Sequence, residues 1–522
     1  MPFTILQGGT SLQFMNQSGT LTTLTLPTGV TLDSSKVARM VTFGRYVVII
    51  NAPTRPLTVD ADGVVRVLTP HAPQTPITLD NLNGGSLTGT FLVKQSYVVF
   101  DINRKIIAES ALGPVSNSAT ITTDYLRATS IPLSPDTVSA TRLYRTTTGG
   151  TTEYFAWVDV DGNTQTSIAD DLSDTGLALN SAPVLGAPPR LTLVGEFRSR
   201  LWGVSLTDVD NLRYTEASRM YAWPDTNSLP IPRIGSDTRG ITGILSRREA
   251  LAIGRVNTLS QITGDDSDSF RVVTLSNEVG VEAPDSIAQF RDTIFFLWKD
   301  GVYTWSNGGI NCVSDGKVGA WFSTDDYFNR ARFLYAVGRI DPISKRYQLL
   351  LSAPSSTALD RWIEYDLTDG TWWGPHKTDE FTPSFHTVIY DSDGVVQPVI
   401  ASTAGFFYKE QETRTDGTNT AIDFDVTTKF HDMQTPDIEK YFGQPALISK
   451  VQSAGTLVIT PYVGGLDATA GTTINADMTL GRERLPRLGN GRMVKLNFQN
   501  DEVGQDIEIM GYELEFFERG RR

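Results

Sequence analysis

The chain has 522 residues, 40% hydrophobic and 20% charged, with 45 basic residues against 59 acidic ones and a formal net charge of −14. That composition excludes wholesale disorder, and its sign argues against a protein that grips nucleic acid by its phosphates. A single cysteine, Cys312, excludes an intramolecular disulfide framework, so folding in a reducing cytosol is expected.

At about 150 residues per folded unit the length predicts roughly three or four units. Met1–Thr10 lacks a basic stretch followed by an apolar one, so no signal peptide is expected. Runs such as Ile294–Trp298 are far shorter than the ~20 apolar residues of a membrane-spanning helix, so no membrane span is expected.

Strand patterns run from one end to the other. Short apolar or alternating stretches rich in Val, Ile, Thr, Tyr and Phe are cut by Gly, Pro, Asn and Asp. Asp-Gly pairs at Asp62-Gly63, Asp161-Gly162, Asp300-Gly301, Asp369-Gly370, Asp393-Gly394 and Asp416-Gly417 predict tight hairpin turns. Helical patterns are confined to Ser35–Val41 and Tyr327–Leu334. The fold class is therefore all-β.

Four regions follow. Residues 1–70 hold a strand over Gly44–Asn51 and a hairpin, Leu57–Val59 with Val64–Leu68. Residues 71–183 open on Pro70, Pro73 and Pro76 and read as about seven strands, with Phe91–Phe100 and Ala140–Thr146 the clearest and Thr151–Val160 paired across Gly149-Gly150. That count suggests a β-sandwich, fibronectin-like because no cysteine pair is present. In residues 184–415, Arg200–Val204 with Leu212–Thr215, Thr293–Trp298 with Gly301–Trp305, Tyr347–Ser352 with Trp362–Asp366, and Val399–Ser402 with Gly405–Tyr408 look alike at spacings of about 40–60 residues, the pattern of β-propeller blades. Gly44–Val59 resembles an earlier blade, which makes the sandwich an insertion into the propeller. Residues 416–522 return to longer strands, Ala421–Phe430, Ala446–Tyr462 and Gln505–Phe517, and predict a second, C-terminal β-sandwich. In the last strand Glu508, Glu513 and Glu515 alternate with apolar residues, so one face is wet or meets a partner.

Chemistry-bearing motifs are sparse. The sequence contains no G-x-S-x-G elbow, Walker A loop or H-E-x-x-H. Asp159-x-Asp161-x-Asn163 with Asp170 echoes a calcium loop, yet Thr164 stands where such a loop needs Gly, and an Asp-Gly hairpin explains the same residues. Asp265-Asp266-Ser267-Asp268 reads as a solvated loop tip, and His71, His376, His386 and His431 as packed or surface residues. A propeller glycoside hydrolase would need two facing carboxylates, for which Glu364, Asp366, Asp300 and Asp325 are available, with Trp372-Trp373 as a sugar platform. Packing roles suit these residues better, so no enzyme, no cofactor and no metal are expected. A receptor- or glycan-binding propeller is the alternative function. Arg482, Arg484, Arg487, Arg492 and Lys495, and a second cluster of Arg519, Arg521 and Arg522, stand out in an acidic chain and predict docking against an acidic neighbouring subunit.

Several strings resemble a known family: Gly44-Arg45 and Pro56–Asp60; Leu87–Phe91, Ala108–Pro114 and Arg142–Thr146; Arg200–Gly203 with Leu212–Thr215 and Trp223-Pro224; Asn277–Gly280, Ala283–Ser286 and Lys299–Tyr303. Together they look like the tail nozzle proteins of short-tailed bacteriophages. The resemblance implies a homo-hexameric ring in the virion tail, made in the host cytoplasm. Such a ring continues the portal and adaptor channel, conducts double-stranded DNA without sequence recognition during ejection, and docks tail fibres or spikes.

Overall fold

The computed structural model describes residues 4–15, 20–51, 53–177, 181–235, 237–378, 380–390, 394–410, 420–505 and 507–519. The protein is all-β, as expected: helix among the described residues is limited to the four-residue turn Ala320–Ser323 and the 3-10 turns Pro284–Ser286 and Arg330–Tyr335. The second helical expectation falls on that last turn. The first does not form a helix. Ser35 donates its N–H and its hydroxyl to the Asp33 carboxylate, at 2.8 and 2.6 Å, which closes a local turn, and the chain then enters the strand Arg39–Phe43. The chain divides into two compact units, residues 1–376 with 385–397, and residues 377–384 with 398–522. Pro383–Tyr390, Val396–Ser402 and Phe407–Lys409 form a three-stranded sheet.

Five four-stranded antiparallel sheets described for the first unit are simple up-and-down meanders. The first blade is Arg39–Phe43, Tyr46–Ile50, Leu57–Val59 and Val65–Val67. The second is Leu191–Phe197, Arg200–Ser205, Asn211–Tyr214 and Ser228–Pro230. The third is Gly243–Ser246, Leu251–Gly254, Leu259–Thr263 and Arg271–Ser276. The fourth is Ala288–Phe290, Thr293–Trp298, Gly301–Ser306 and Gly309–Cys312, and the fifth is Val337–Asp341, Arg346–Leu351, Arg361–Asp366 and Trp372–His376. First strands neighbour one another between blades one and two, two and three, and four and five. This is the radial arrangement of a β-propeller.

Packing of blade on blade explains the sequence pattern. Arg200–Ser205 and Leu251–Gly254 are buried at every position, because both faces of each sheet are covered, so they read as runs and not as alternation. Trp202, Tyr214, Leu251, Ile253 and Phe270 form the core between the second and third blades, and Phe295, Leu297, Tyr347, Leu349 and Ile363 that between the fourth and fifth. Gly280 shows how tight the approach is: a Cβ there would lie 2.0 Å from the Arg255 carbonyl oxygen. An N-terminal sheet, Thr4–Gly8, Ser11–Met15 and Leu21–Thr23, covers the first blade through Ile5, Leu12, Ile49 and Leu57.

Between the first and second blades the chain builds a seven-stranded sandwich. One layer is Thr78–Phe91, Ala119–Thr129 and Ile168–Asp170; the other is Ile106–Glu109, Val93–Phe100, Ala140–Arg145 and Phe155–Asp161. The single strand expected over Phe91–Phe100 is two. The chain changes layer at Leu92, with Phe91 and Val93 both buried in the shared core. Leu68 and Leu191, where the chain leaves and rejoins the propeller, pack in one cluster with Val48, Leu201 and Trp223.

The second unit holds the C-terminal sandwich. Its four-stranded layer is Phe424–Thr427, Met493–Asn500, Thr456–Gly464 and Ile474–Asp477. The facing layer has three rows, each broken once: Arg482–Arg484 and Gly489–Gly491 on one edge, Lys440–Phe442 and Ala446–Ser449 in the centre, Ile509–Glu513 and Phe516–Glu518 on the other edge. The Gly443 N–H donates to the Glu515 carbonyl and the Leu485 N–H to that of Pro445, both at 2.8 Å, which bridges the breaks. The strand expected over Ala446–Tyr462 is again two, in different layers, with Gly455 at φ 130° between them.

Candidate interaction surfaces

The calcium-loop residues do not act together. Asp159 is held by Arg142, directly opposite on the neighbouring strand, through bonds of 2.6 and 2.8 Å. Asp161 pairs with Arg104 at 2.8 Å, and Asp170 accepts from the Trp157 indole at 3.1 Å. The Asn163 amide bonds both backbone groups of Ser134, at 2.7 and 2.8 Å. These polar groups anchor the hairpin and its loop, and among the described residues no three His, Cys, Asp or Glu side chains converge as a metal site. Asp265 pairs with Arg198 at 3.0 Å, and Asp266 accepts the Ser269 N–H at 2.9 Å, closing the loop between the outer strands of the third blade.

Of the Asp-Gly turns, Gly63, Gly162 and Gly370 have φ of 77°, 78° and 73°. Gly301 instead opens a strand, where a Cβ would lie 2.1 Å from the Ser314 hydroxyl. Asp393 and the pair Asp416-Gly417 lie outside the described residues, as do Arg521 and Arg522.

Each carboxylate considered for glycoside chemistry has a structural partner. Glu364 is buried and accepts from Arg346 at 2.7 Å and Gln348 at 2.8 Å. Asp366 caps the Thr368 N–H, Asp325 caps Arg330, and Asp300 accepts from Tyr303. Trp372 packs on Tyr365 with ring centres 4.9 Å apart, and its indole N–H donates to the Val313 carbonyl. Trp373 is half exposed, with the Arg346 guanidinium 5.5 Å from its ring centre.

A cleft of about 680 Å³ opens where the first blade, the second blade and the inserted sandwich meet, lined by Arg45, Tyr46, Asp101, Lys105, Glu196 and Tyr221 among others. Arg45 and Asp101 pair across it at 2.7 Å. Buried nearby, and not anticipated from sequence, Glu109 accepts from Tyr144 at 2.5 Å and Ser96 at 2.7 Å. Burial raises its carboxyl above the usual range against the pull of those two hydroxyls. Asp136 was not anticipated either. It binds Arg55 at 3.0 and 3.2 Å and the His71 backbone N–H at 2.7 Å. Burial pushes its carboxyl up, but Arg55 and the His71 N–H pull it further down, to a net lowering.

His71 is exposed beside Asp136, and the other three histidines are packed. His376 and His386 flank Trp362, with ring centres 5.6 and 6.0 Å from it, and neither ring nitrogen of His386 has a hydrogen-bond partner among the described residues. Burial, with Arg339 beside it, holds the His386 imidazole well below its ordinary value. His431 meets the Tyr512 hydroxyl at 2.6 Å.

The basic residues of the C-terminal sandwich fall in two groups. Arg482, Arg484 and Arg487 are exposed along one edge of the three-row layer, and Arg482 reaches across it to Glu513 at 2.5 Å. Arg492 is exposed just before the Met493–Asn500 strand. Lys495 belongs to the four-stranded layer, its ammonium 4.9 and 4.6 Å from the ring centres of Phe430 and Tyr462.

No protein-family profile matches the chain, and no curated protein matches it. Among solved structures it is similar to PorZ, a surface component of the type IX secretion system of Porphyromonas gingivalis, at 10% identity over 77% of this chain and 53% of that one, with a TM-score of 0.27. It is also similar to an exo-β-1,3-galactanase from Phanerochaete chrysosporium, at 10% identity over 64% and 97% of the two chains and a TM-score of 0.23. A third is a DUF4623 family protein from Bacteroides eggerthii, at 11% identity over 77% and 90% and a TM-score of 0.25. Likenesses this distant carry no argument about activity.

Proposed function

We propose that this chain is a non-catalytic structural subunit of a short-tailed bacteriophage virion, forming the ring-shaped tail nozzle. One observation carries the reading: the order of parts, in which a seven-stranded sandwich interrupts a run of propeller blades after the first and a second sandwich follows. The nozzle proteins that the sequence strings resemble look like β-propellers with an inserted fibronectin-like or sandwich domain, which supports the reading. The structural engagement of the Glu364, Asp366, Asp300 and Asp325 carboxylates supports the absence of catalysis.

On this reading six copies surround the DNA path, continue the adaptor ring and present outer surfaces to fibres or spikes. The net charge of −14 suits a conduit, because an acidic wall does not hold phosphates by counterion release. No helix among the described residues is long and apolar enough to cross a membrane.

Imaging of the purified protein and of purified particles tests the proposal. The expected result is a ring with six-fold symmetry and a central bore, and the same ring at the tail of the particle. A monomer at every concentration, absent from particles, overturns it.

A further inference from the structure

The three-row layer of the C-terminal sandwich has two open edges. The rows Arg482–Arg484 with Gly489–Gly491 and Ile509–Glu513 with Phe516–Glu518 each form ladders with the central row only; Gly489–Gly491 lies against the end of the Thr456–Gly464 strand, but among the described residues Arg482–Arg484, Ile509–Glu513 and Phe516–Glu518 each leave one side of the backbone free of ladder partners. The edges carry opposite charge. One exposes Arg482, Arg484 and Arg487; the other exposes Glu513, Glu515 and Glu518. Register places Arg482, Arg484 and Glu513 beside Ile448 and Ala446, on the outward face of the layer, while the alternate residue Leu447 is in the core. Arg482 and Glu513 bond each other, but among the described residues no carboxylate pairs with Arg484 or Arg487 and no cation pairs with Glu515 or Glu518. Apolar side chains accompany the acidic edge, with Phe517 58% and Met510 71% exposed.

We propose that the acidic edge of one copy docks against the basic edge of the next, joining the two layers strand to strand; this rests on the ring reading above. Charges along exposed edges often guard them against pairing. A guard works between copies when both edges carry the same sign, so that copies repel, and here the signs are opposite and copies attract. The two patches are different surfaces, so the contact is heterologous and head-to-tail, the type that closes into a ring when its rotation permits. Open backbone groups supply hydrogen bonds, Arg484 and Arg487 meet Glu515 and Glu518, and Phe517 leaves water.

The test uses the full chain and measures mass in solution by sedimentation and native mass spectrometry. The wild type is expected to assemble at low ionic strength and to loosen as salt rises. Arg484→Glu with Arg487→Glu, and separately Glu515→Arg with Glu518→Arg, are each expected to weaken assembly at least about tenfold in apparent Kd. Both should keep the wild-type melting temperature at high salt, where the wild type is dissociated, since all four side chains are exposed. Equimolar mixing of the two variants is expected to restore association, because each retains one native edge. A ring that survives both reversals, or a mixture that stays dissociated, overturns the edge pairing alone. A wild-type chain that is monomeric at low salt overturns the pairing and the ring reading together.

Discussion

His386 is a titratable group in the first unit's core without a hydrogen-bond partner among the described residues. Its imidazole is held neutral by burial, with Arg339 adding to the effect. His376 follows the same direction through burial, opposed by Glu364 and assisted by Arg346. An unfolded histidine binds its proton below about pH 6.5. Below that pH the unfolded chain takes up protons that the folded chain refuses, so stability falls as pH falls, by up to about 1.4 kcal/mol per pH unit per group. Urea midpoints should therefore decline between pH 7.5 and 5.5, and His386→Phe should flatten the decline; an unchanged slope in that variant removes His386 from the account. At this scale the sequence was partly legible. The Asp-Gly turns at Asp62, Asp161 and Asp369 were readable because only glycine accepts their positive φ cheaply. The partner of Asp159 was not readable, since a two-residue Gly149-Gly150 turn would put Trp157 opposite Arg142, and the longer connection with a register shift between Leu143 and Tyr144 brings Asp159 there instead. Glu109 and Asp136 were not either, because their partners come from strands and loops whose neighbours only the fold defines.

Blade-on-blade packing makes Trp202 the clearest element-scale test. It is fully buried, stacks on Tyr214 at 4.6 Å and meets Phe270 edge-on at 4.9 Å, and its indole donates to the Phe197 carbonyl at 3.1 Å. Trp202→Ala leaves a cavity between two sheets and an unpaired carbonyl, and is expected to cost about 3–5 kcal/mol. Chemical denaturation followed by circular dichroism measures it, and a loss under about 1 kcal/mol would show that the blades do not rely on this contact. Aromatic punctuation made the second, fourth and fifth blades visible in the sequence. The third, Gly243–Ser276, escaped that reading because it contains no Trp or Tyr and its last strand, Arg271–Ser276, has no buried residue. The merged strands at Phe91–Phe100 and Ala446–Tyr462 failed for a different reason. Both halves of each are apolar toward one core, and nothing in local composition marks the residue at which a chain crosses from one layer to the other.

The whole-molecule question in the first unit is how an inserted sandwich stays attached to a propeller it interrupts. Asp136 is one polar link, beside the Arg45–Asp101 pair. It lies in the sandwich segment, its side chain only 6% exposed, and it holds Arg55 from the first blade and the His71 backbone where the chain enters the insertion. Arg55 also donates to the Thr69 carbonyl at 2.7 Å, and the Thr69 hydroxyl to that of Tyr221 at 3.1 Å, so the attachment runs on into the second blade. Apolar support comes from Val99, Ile107 and Ala108 of the sandwich against Tyr221 and Ala222. Asp136→Asn keeps the shape but leaves a guanidinium facing an amide, with an expected cost of about 1–3 kcal/mol. Asp136 has its carboxyl net lowered in the folded chain, so its contribution is present above the unfolded value of about 3.9 and is lost as pH falls below it. Because the loss falls on the joint between parts with separate cores, it should appear as uncoupling. Calorimetry of the Asp136→Asn chain at pH 7 is expected to show an additional, earlier transition, with Arg55→Ala giving the same early transition and the double variant no further shift. A single transition displaced as a whole would mean that the apolar contact alone makes the sandwich and the blades one cooperative body.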